Sequence, residues 1–155
     1  WSQEFLALPI PPEVEAGTRP LTRRVRERGR ASTGEQFYAA LATLRQAARV
    51  ELAATSRYDA VLTPTLAQPP ALVGELRDDA DPAADFEAQK RFTPFTAPYN
   101  MSGQPAVTVP LHWSATGLPI GIQLVGRPYG EQTLFRLASQ LEEAVPWFAR
   151  RPACW

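Results

Sequence analysis

FTPFTAPYNMSGQPAVTVPLHWSATGLPIGIQLVG, residues 92–126, is the stretch around which the rest of the chain is arranged. It opens on an aromatic segment punctuated by Pro and Thr and turns at Asn100-Met101-Ser102-Gly103. Two apolar runs follow, Ala106 to Leu111 and Ile120 to Val125, separated by a Ser-Ala-Thr-Gly turn. Short β-rich apolar runs bounded by Gly and Pro read as strands buried on both faces. Alternation puts Val107, Val109 and Leu111 on one face of the first, with Ala106 and Thr108 on the other. In the second, Ile120, Ile122 and Leu124 share a face, and Gly121 and Gln123 lie opposite. A glycine inside a strand marks a place where another backbone comes very close. The reading is the centre of a sheet.

Composition bounds what surrounds it. A chain of 155 residues is long enough for one domain that buries roughly 70% of its unfolded surface. Sixteen basic residues balance sixteen acidic ones, so overall charge gives no reason to expect nucleic acid or an anionic membrane. The single cysteine, Cys154, excludes a disulfide framework and a Cys-based metal site, and the single histidine, His112, excludes a multi-His centre. No apolar run approaches the roughly 20 residues that span a bilayer, and the first residues lack a signal-peptide layout. The expectation is a soluble, cytoplasmic protein without metal or cofactor. Position 1 is not Met and the only methionine is Met101, which reads as a piece of something longer.

Working outward, Trp1 to Pro20 is apolar and Pro-rich and reads as an irregular connector. Arg19 to Arg30 holds six arginines against one acid, Glu27. That density fits either a phosphate or RNA contact surface or a solvated helix face, and the second is favoured because no aromatics interleave it. Residues 1–32 are thus a lead-in, and 33–155 the sheet and its packing helices. Thr33 and Gln36 fit a capping box opening a helix to about Ser56, with Phe37, Leu41, Leu44, Ala48 and Leu52 on its packing face. Tyr58 to Thr65 reads as a strand ending at Pro64, and strand ends are where open α/β sheets place ligand sites. From Ala67 to Lys90 the chain is acidic and Pro-broken, a surface excursion whose spacing fits no calcium loop. Glu131 to Ala144 is an amphipathic helix with Leu134, Leu137, Ala138 and Leu141 inward. The tail carries Trp147, Phe148 and Trp155 as an anchoring strap.

Chemistry is harder to find. None of the serines, 2, 32, 56, 102, 114 and 139, lies in a G-x-S-x-G elbow, and Ser102 has no lysine or histidine near it in sequence. Lys90, the only lysine, lies in a polar stretch unsuited to a neutral amine. The residues alone provide no complete catalytic set.

The ordered set Asn100-x-x-Gly103-x-Pro105, Val109-Pro110, Gly117-Leu118-Pro119-x-Gly121-x-Gln123-Leu124-x-Gly126 and Glu131 resembles the C-terminal third of the amidase signature family. Tyr58 to Thr65 and the ending Trp147-x-x-Arg150-Arg151-Pro152 are similar to the same family. The resemblance is faint before residue 33 and specific from Phe92 onward. It implies an α/β fold, the C-terminal part of an α/β/α sandwich around a mixed sheet, with residues 1–155 belonging to one larger domain. It also implies hydrolysis of carboxamides by a Ser-Ser-Lys triad whose members lie in the family's upstream glycine- and serine-rich stretch and an earlier lysine, so none is carried over. Phe92, Thr93, Phe95 and Thr96 are then candidates for the acyl-side pocket wall, and Asn100, Gly103 and Gly121 for the turn and close approach beside it. Expected partners are a small amide and the missing N-terminal portion, with homodimerisation an open alternative. A different reading is a non-catalytic module or a subunit of a tRNA-dependent amidotransferase.

Overall fold

The computed structural model describes residues 2–150, in two compact units. The expectations placed on Cys154, Trp155 and the Arg151-Pro152 ending lie outside the described residues. The first unit comprises the chain up to Leu44 together with Ala71–Phe92, and the second Arg45–Pro70 together with the chain from Thr93 onward.

The first unit is helical: α1 (Ser2–Ala7), α2 (Pro12–Ala16), α3 (Pro20–Ala31), the opening turns of α4 (Gly34–Thr55) and α5 (Pro82–Phe92). This corrects the reading of the first twenty residues as an irregular connector. Pro12 and Pro20 sit in the first turn of α2 and α3, where a missing N–H costs nothing and a fixed φ favours the helix. The acidic stretch is likewise no mere excursion, because Asp81 accepts from the N–H groups of Ala83 and Ala84 at 3.0 and 3.1 Å and so caps α5. The Thr33–Gln36 capping box forms as expected, with reciprocal bonds of 3.0 and 3.2 Å.

The arginines of α3 are not a uniformly solvated face. Arg26 is buried. Its Nη1 donates to the carbonyls of Phe5 and Leu8, and its Nε faces Glu15 Oε2 at 3.1 Å, an ion-pair distance too oblique for a hydrogen bond. Arg30 completes the cluster with bonds of 2.7 and 2.6 Å to the same carboxylate. Asp85 on α5 is also buried, held by Arg19 at 3.3 Å, by the Asp78 N–H at 3.3 Å and by Gln89. Buried charges persist only when paired in this way.

The second unit is built on a three-stranded antiparallel sheet in the order β1-β3-β2, from β1 (Ala60–Pro64), β2 (Ala106–Trp113) and β3 (Pro119–Gly126). The α/β class is therefore as expected, and β3 is the central strand. β2 is an edge strand among the described residues, with Ala106, Thr108 and His112 exposed, which corrects its reading as buried on both faces. Pairing runs Val107 with Leu124 and Val109 with Ile122, then slips at a bulge between Pro110 and His112. On one sheet face Val109 and Leu124 pack against Leu134 of α7 (Glu131–Ala144), joined by Leu137, Ala138, Leu141 and Trp147. Trp147 thus packs on this core as expected of the strap, whereas Phe148 is exposed; Arg150 lies over the Trp113 ring at 5.1 Å.

The Asn100–Gly103 segment is the end of a helix, α6 (Ala97–Ser102), and not a free turn. Asn100 is helical, and Gly103 takes the left-handed conformation (φ 73°) that ends the helix, its N–H bonding the Tyr99 carbonyl. Buried Gln104 then ties three elements together. Its amide nitrogen donates to the Gly126 carbonyl at 3.0 Å and to Thr55 Oγ1 at 3.2 Å, while its oxygen accepts from Ser102 Oγ at 3.0 Å.

Candidate functional site

Two surfaces of β3 have opposite chemistry. The face toward α7 is wholly apolar in its buried centre. On the other, antiparallel pairing aligns Thr63, Gln123 and Thr108 in one row across all three strands. Directly paired residues of an antiparallel sheet project to the same side, so this row is a polar belt. Gln123 is 5% exposed at its centre. Its amide nitrogen donates to Thr63 Oγ1 at 3.1 Å and to the Phe95 carbonyl at 3.2 Å. Beyond β1, Thr65 and Thr108 share a hydroxyl–hydroxyl bond of 3.2 Å, and the Thr65 N–H reaches the Gly121 carbonyl at 3.1 Å. Gly121 lies beneath this pair, where a Cβ would come within 2.9 Å of Thr65 Oγ1.

The belt receives part of the predicted wall. Phe95 and Thr96 are half-buried, Thr93 is exposed, and the Phe95 carbonyl is fixed to Gln123. Thr96 leads into α6 and its hydroxyl reaches back toward the Thr93 carbonyl at 3.4 Å, so the segment folds on itself. Phe92 is different: it ends α5 in the first unit. Gly121 is a place of close approach, but its nearest neighbours are the side chains of Thr65 and Thr108 and not the second backbone that the sequence suggests. Gly103 meets nothing within 4 Å, so its role is conformational.

Electrostatically the site is neutral. Tyr99, buried in α6, has its phenol pKa raised by burial and by the Glu51 carboxylate, so it remains an uncharged phenol. Ser102 donates to Gln104, Ser32 to the Arg28 carbonyl and Ser56 to the Ala53 carbonyl. These are backbone- and amide-satisfying bonds, and none joins a serine to a base. Lys90 is paired with Glu87 at 2.5 Å in α5 and stacks over Phe86 at 5.3 Å. Among the described residues, no three His, Cys, Asp or Glu side chains converge on a metal-sized site, and no helix is long and apolar enough to cross a membrane.

The first unit has its own cleft of about 210 Å³, floored by Phe5, Leu21, Val25 and Phe86, with Arg24 and Arg28 at its rim. Phe92, the candidate residue in this unit, does not line it. Gln123, which bonds the Phe95 carbonyl, is not among the candidates that the sequence offers, Phe92, Thr93, Phe95 and Thr96. The signal was an amide on the same face as Gly121 in an otherwise apolar run.

The fold is mixed α/β around a three-stranded antiparallel sheet, and its solved neighbours are amidase-signature hydrolases. The solved structure of 6-aminohexanoate cyclic dimer hydrolase superposes with a TM-score of 0.79 at 32% identity, covering 94% of this chain and 31% of that one. The Amidase family profile matches residues 7–135, and the chain belongs to that family. It is 37% identical over 129 residues to the 6-aminohexanoate-cyclic-dimer hydrolase of Pseudomonas sp. (strain NK87), covering 77% of this chain and 26% of that protein. It is 40% identical over 100 residues to a glutamyl-tRNA(Gln) amidotransferase subunit of Geobacter metallireducens, covering 64% of this chain and 19% of that protein. The chain thus spans about a quarter of the length of the relative from Pseudomonas.

Proposed function

We propose that this chain supplies the sheet core and part of the acyl-side pocket wall of an amidohydrolase, whose reacting side chains lie in polypeptide upstream of it. In that enzyme a serine oxygen attacks the carboxamide carbon, the C–N bond breaks and the amine leaves with a proton. Water then releases the acyl group as a carboxylate. A second serine relays protons to a neutral lysine, and backbone N–H groups hold the oxyanion. The chain by itself is inactive, and the enzyme is cytoplasmic.

The observation that carries this reading is the bond from Gln123 to the Phe95 carbonyl, which holds the Thr93–Thr96 segment against a polar sheet face in a chain of the Amidase family. Thr93, Pro94, Phe95 and Thr96 are uncharged, so the pocket suits apolar or aryl amides without an ammonium group. The protein including the upstream portion should hydrolyse such amides in the presence of chelator and lose the activity when the upstream serine becomes alanine. Activity that chelator abolishes, or that residues 1–155 show alone, would count against it.

The similarity to an amidotransferase component favours one other reading, in which the chain serves a tRNA-dependent amidotransferase. Glutamine-derived ammonia transfer and salt-dependent tRNA binding would then replace hydrolysis of simple amides.

A further inference from the structure

We propose that Gln123 is a positioning residue that sets the acyl-size preference of the pocket by fixing where the Phe95 carbonyl stands above the sheet. The inference deepens the reading above and rests on it.

Three observations converge. First, a primary amide at the centre of a sheet is costly to bury without partners, and an aliphatic residue would serve a purely structural role there. Gln123 is nonetheless 5% exposed in a strand whose other face packs an apolar core. Second, the amide nitrogen has two protons and two acceptors, Thr63 Oγ1 at 3.1 Å and the Phe95 carbonyl at 3.2 Å. The first acceptor comes from the neighbouring strand and fixes the orientation of the amide. The second transmits that orientation to a non-sheet segment. Third, the rest of the belt is closed by the Thr65–Thr108 hydroxyl pair over Gly121, so the amide has a stiff surround on β1 and β2.

One bond thus ties the half-buried Phe95 and Thr96 to the most constrained strand of the unit. Without it, the Phe95 carbonyl loses its bond to the sheet and can stand further from it. An acyl group that relies on a close wall then loses contact, and a larger one gains room.

The test uses the amidase including its upstream portion, with propionamide and phenylacetamide as probes. Gln123→Met removes both donors at similar length, Gln123→Glu replaces the nitrogen donors by oxygen, and Thr63→Val removes only the orienting acceptor. The two Gln123 variants should raise KM for propionamide about tenfold relative to KM for phenylacetamide, with kcat within twofold. Thr63→Val should shift the ratio in the same direction but less, and it decides the matter if neither Gln123 variant folds. Gln104→Ala is the control: it removes another buried amide and lowers the melting temperature without moving the ratio. An unchanged ratio in the variants that fold, or a ratio that moves equally in Gln104→Ala, overturns the inference while leaving the amidase reading intact. A wild-type enzyme that hydrolyses neither amide removes the underlying reading, and this inference with it.

Discussion

Gly121 and Thr108 are so close that a Cβ on the glycine would stand 2.8 Å from Thr108 Cγ2. The same Cβ would meet Thr65 Oγ1, and the two threonines are hydrogen-bonded to each other, so neither can swing aside freely. Gly121→Ala should therefore destabilise the second unit by about 1–3 kcal/mol, the usual cost of an inserted methyl in a packed site. Adding Thr108→Ser deletes the offending methyl and should recover part of the loss. A denaturant double-mutant cycle measures the coupling, and strict additivity would contradict the contact.

Gln104 gives a second stability prediction. Truncation to Ala leaves the Gly126 carbonyl and the Ser102 hydroxyl without their amide partner. The expected loss is about 1–3 kcal/mol, since a buried polar group is left unsatisfied. Ser102→Ala, which removes only one partly buried donor, should cost less. The comparison is read from chemical denaturation midpoints of the two variants.

Acid should loosen the first unit by a route set by two carboxylates. The Arg30 hydrogen bonds, with the guanidinium of Arg26 beside them, hold Glu15 below its ordinary 4.5. Arg77, then Arg19, hold Asp79 below its ordinary 3.8. A folded-state pKa below the unfolded value means that the unfolded chain binds more protons in this range. The stabilisation is then complete above the ordinary values and is lost as pH falls through the lowered ones. Hydrogen exchange of α2 and α3 followed from neutral to acid pH should show protection falling in that window. Glu15→Gln should lower protection at neutral pH and flatten the acid dependence.

Residues 1–155 produced alone should self-associate. Along α4 no residue is buried, and Phe37, Tyr38, Leu44 and Val50 are all exposed. Leu62 on β1, an outer strand of the sheet among the described residues, is also exposed. Apolar helix faces and open strand edges of this kind drive association in water. Sedimentation velocity should show oligomers that diminish when Tyr38 and Val50 become Glu. A monodisperse, cooperatively melting monomer would falsify the expectation.

How much of this was legible depends on how far apart the partners lie. The capping box of α4, the inward leucines of α7 and the alternation of β3 are local patterns, and each appears where the sequence places it. The prolines misled because Pro12 and Pro20 start helices as readily as they break them. Burial of Arg26 and Asp85 was invisible because it depends on distant partners; Arg19 and Asp85 are 66 positions apart. The site divides in the same way. That Gln123 shares a face with Gly121 follows from period-two alternation, but its bond to the Phe95 carbonyl spans 28 positions and follows from no local rule.

The order β1-β3-β2 has a kinetic consequence. β2 and β3 are joined by a tight turn, closed by the Ser114 N–H to the Leu118 carbonyl at 2.8 Å, so that hairpin can nucleate within a short stretch of chain. Thr63 must instead find Gln123 across 60 positions, a slower search because the loop-closure entropy comes first. Substitutions in the hairpin should therefore slow refolding, whereas those in β1 should chiefly hasten unfolding.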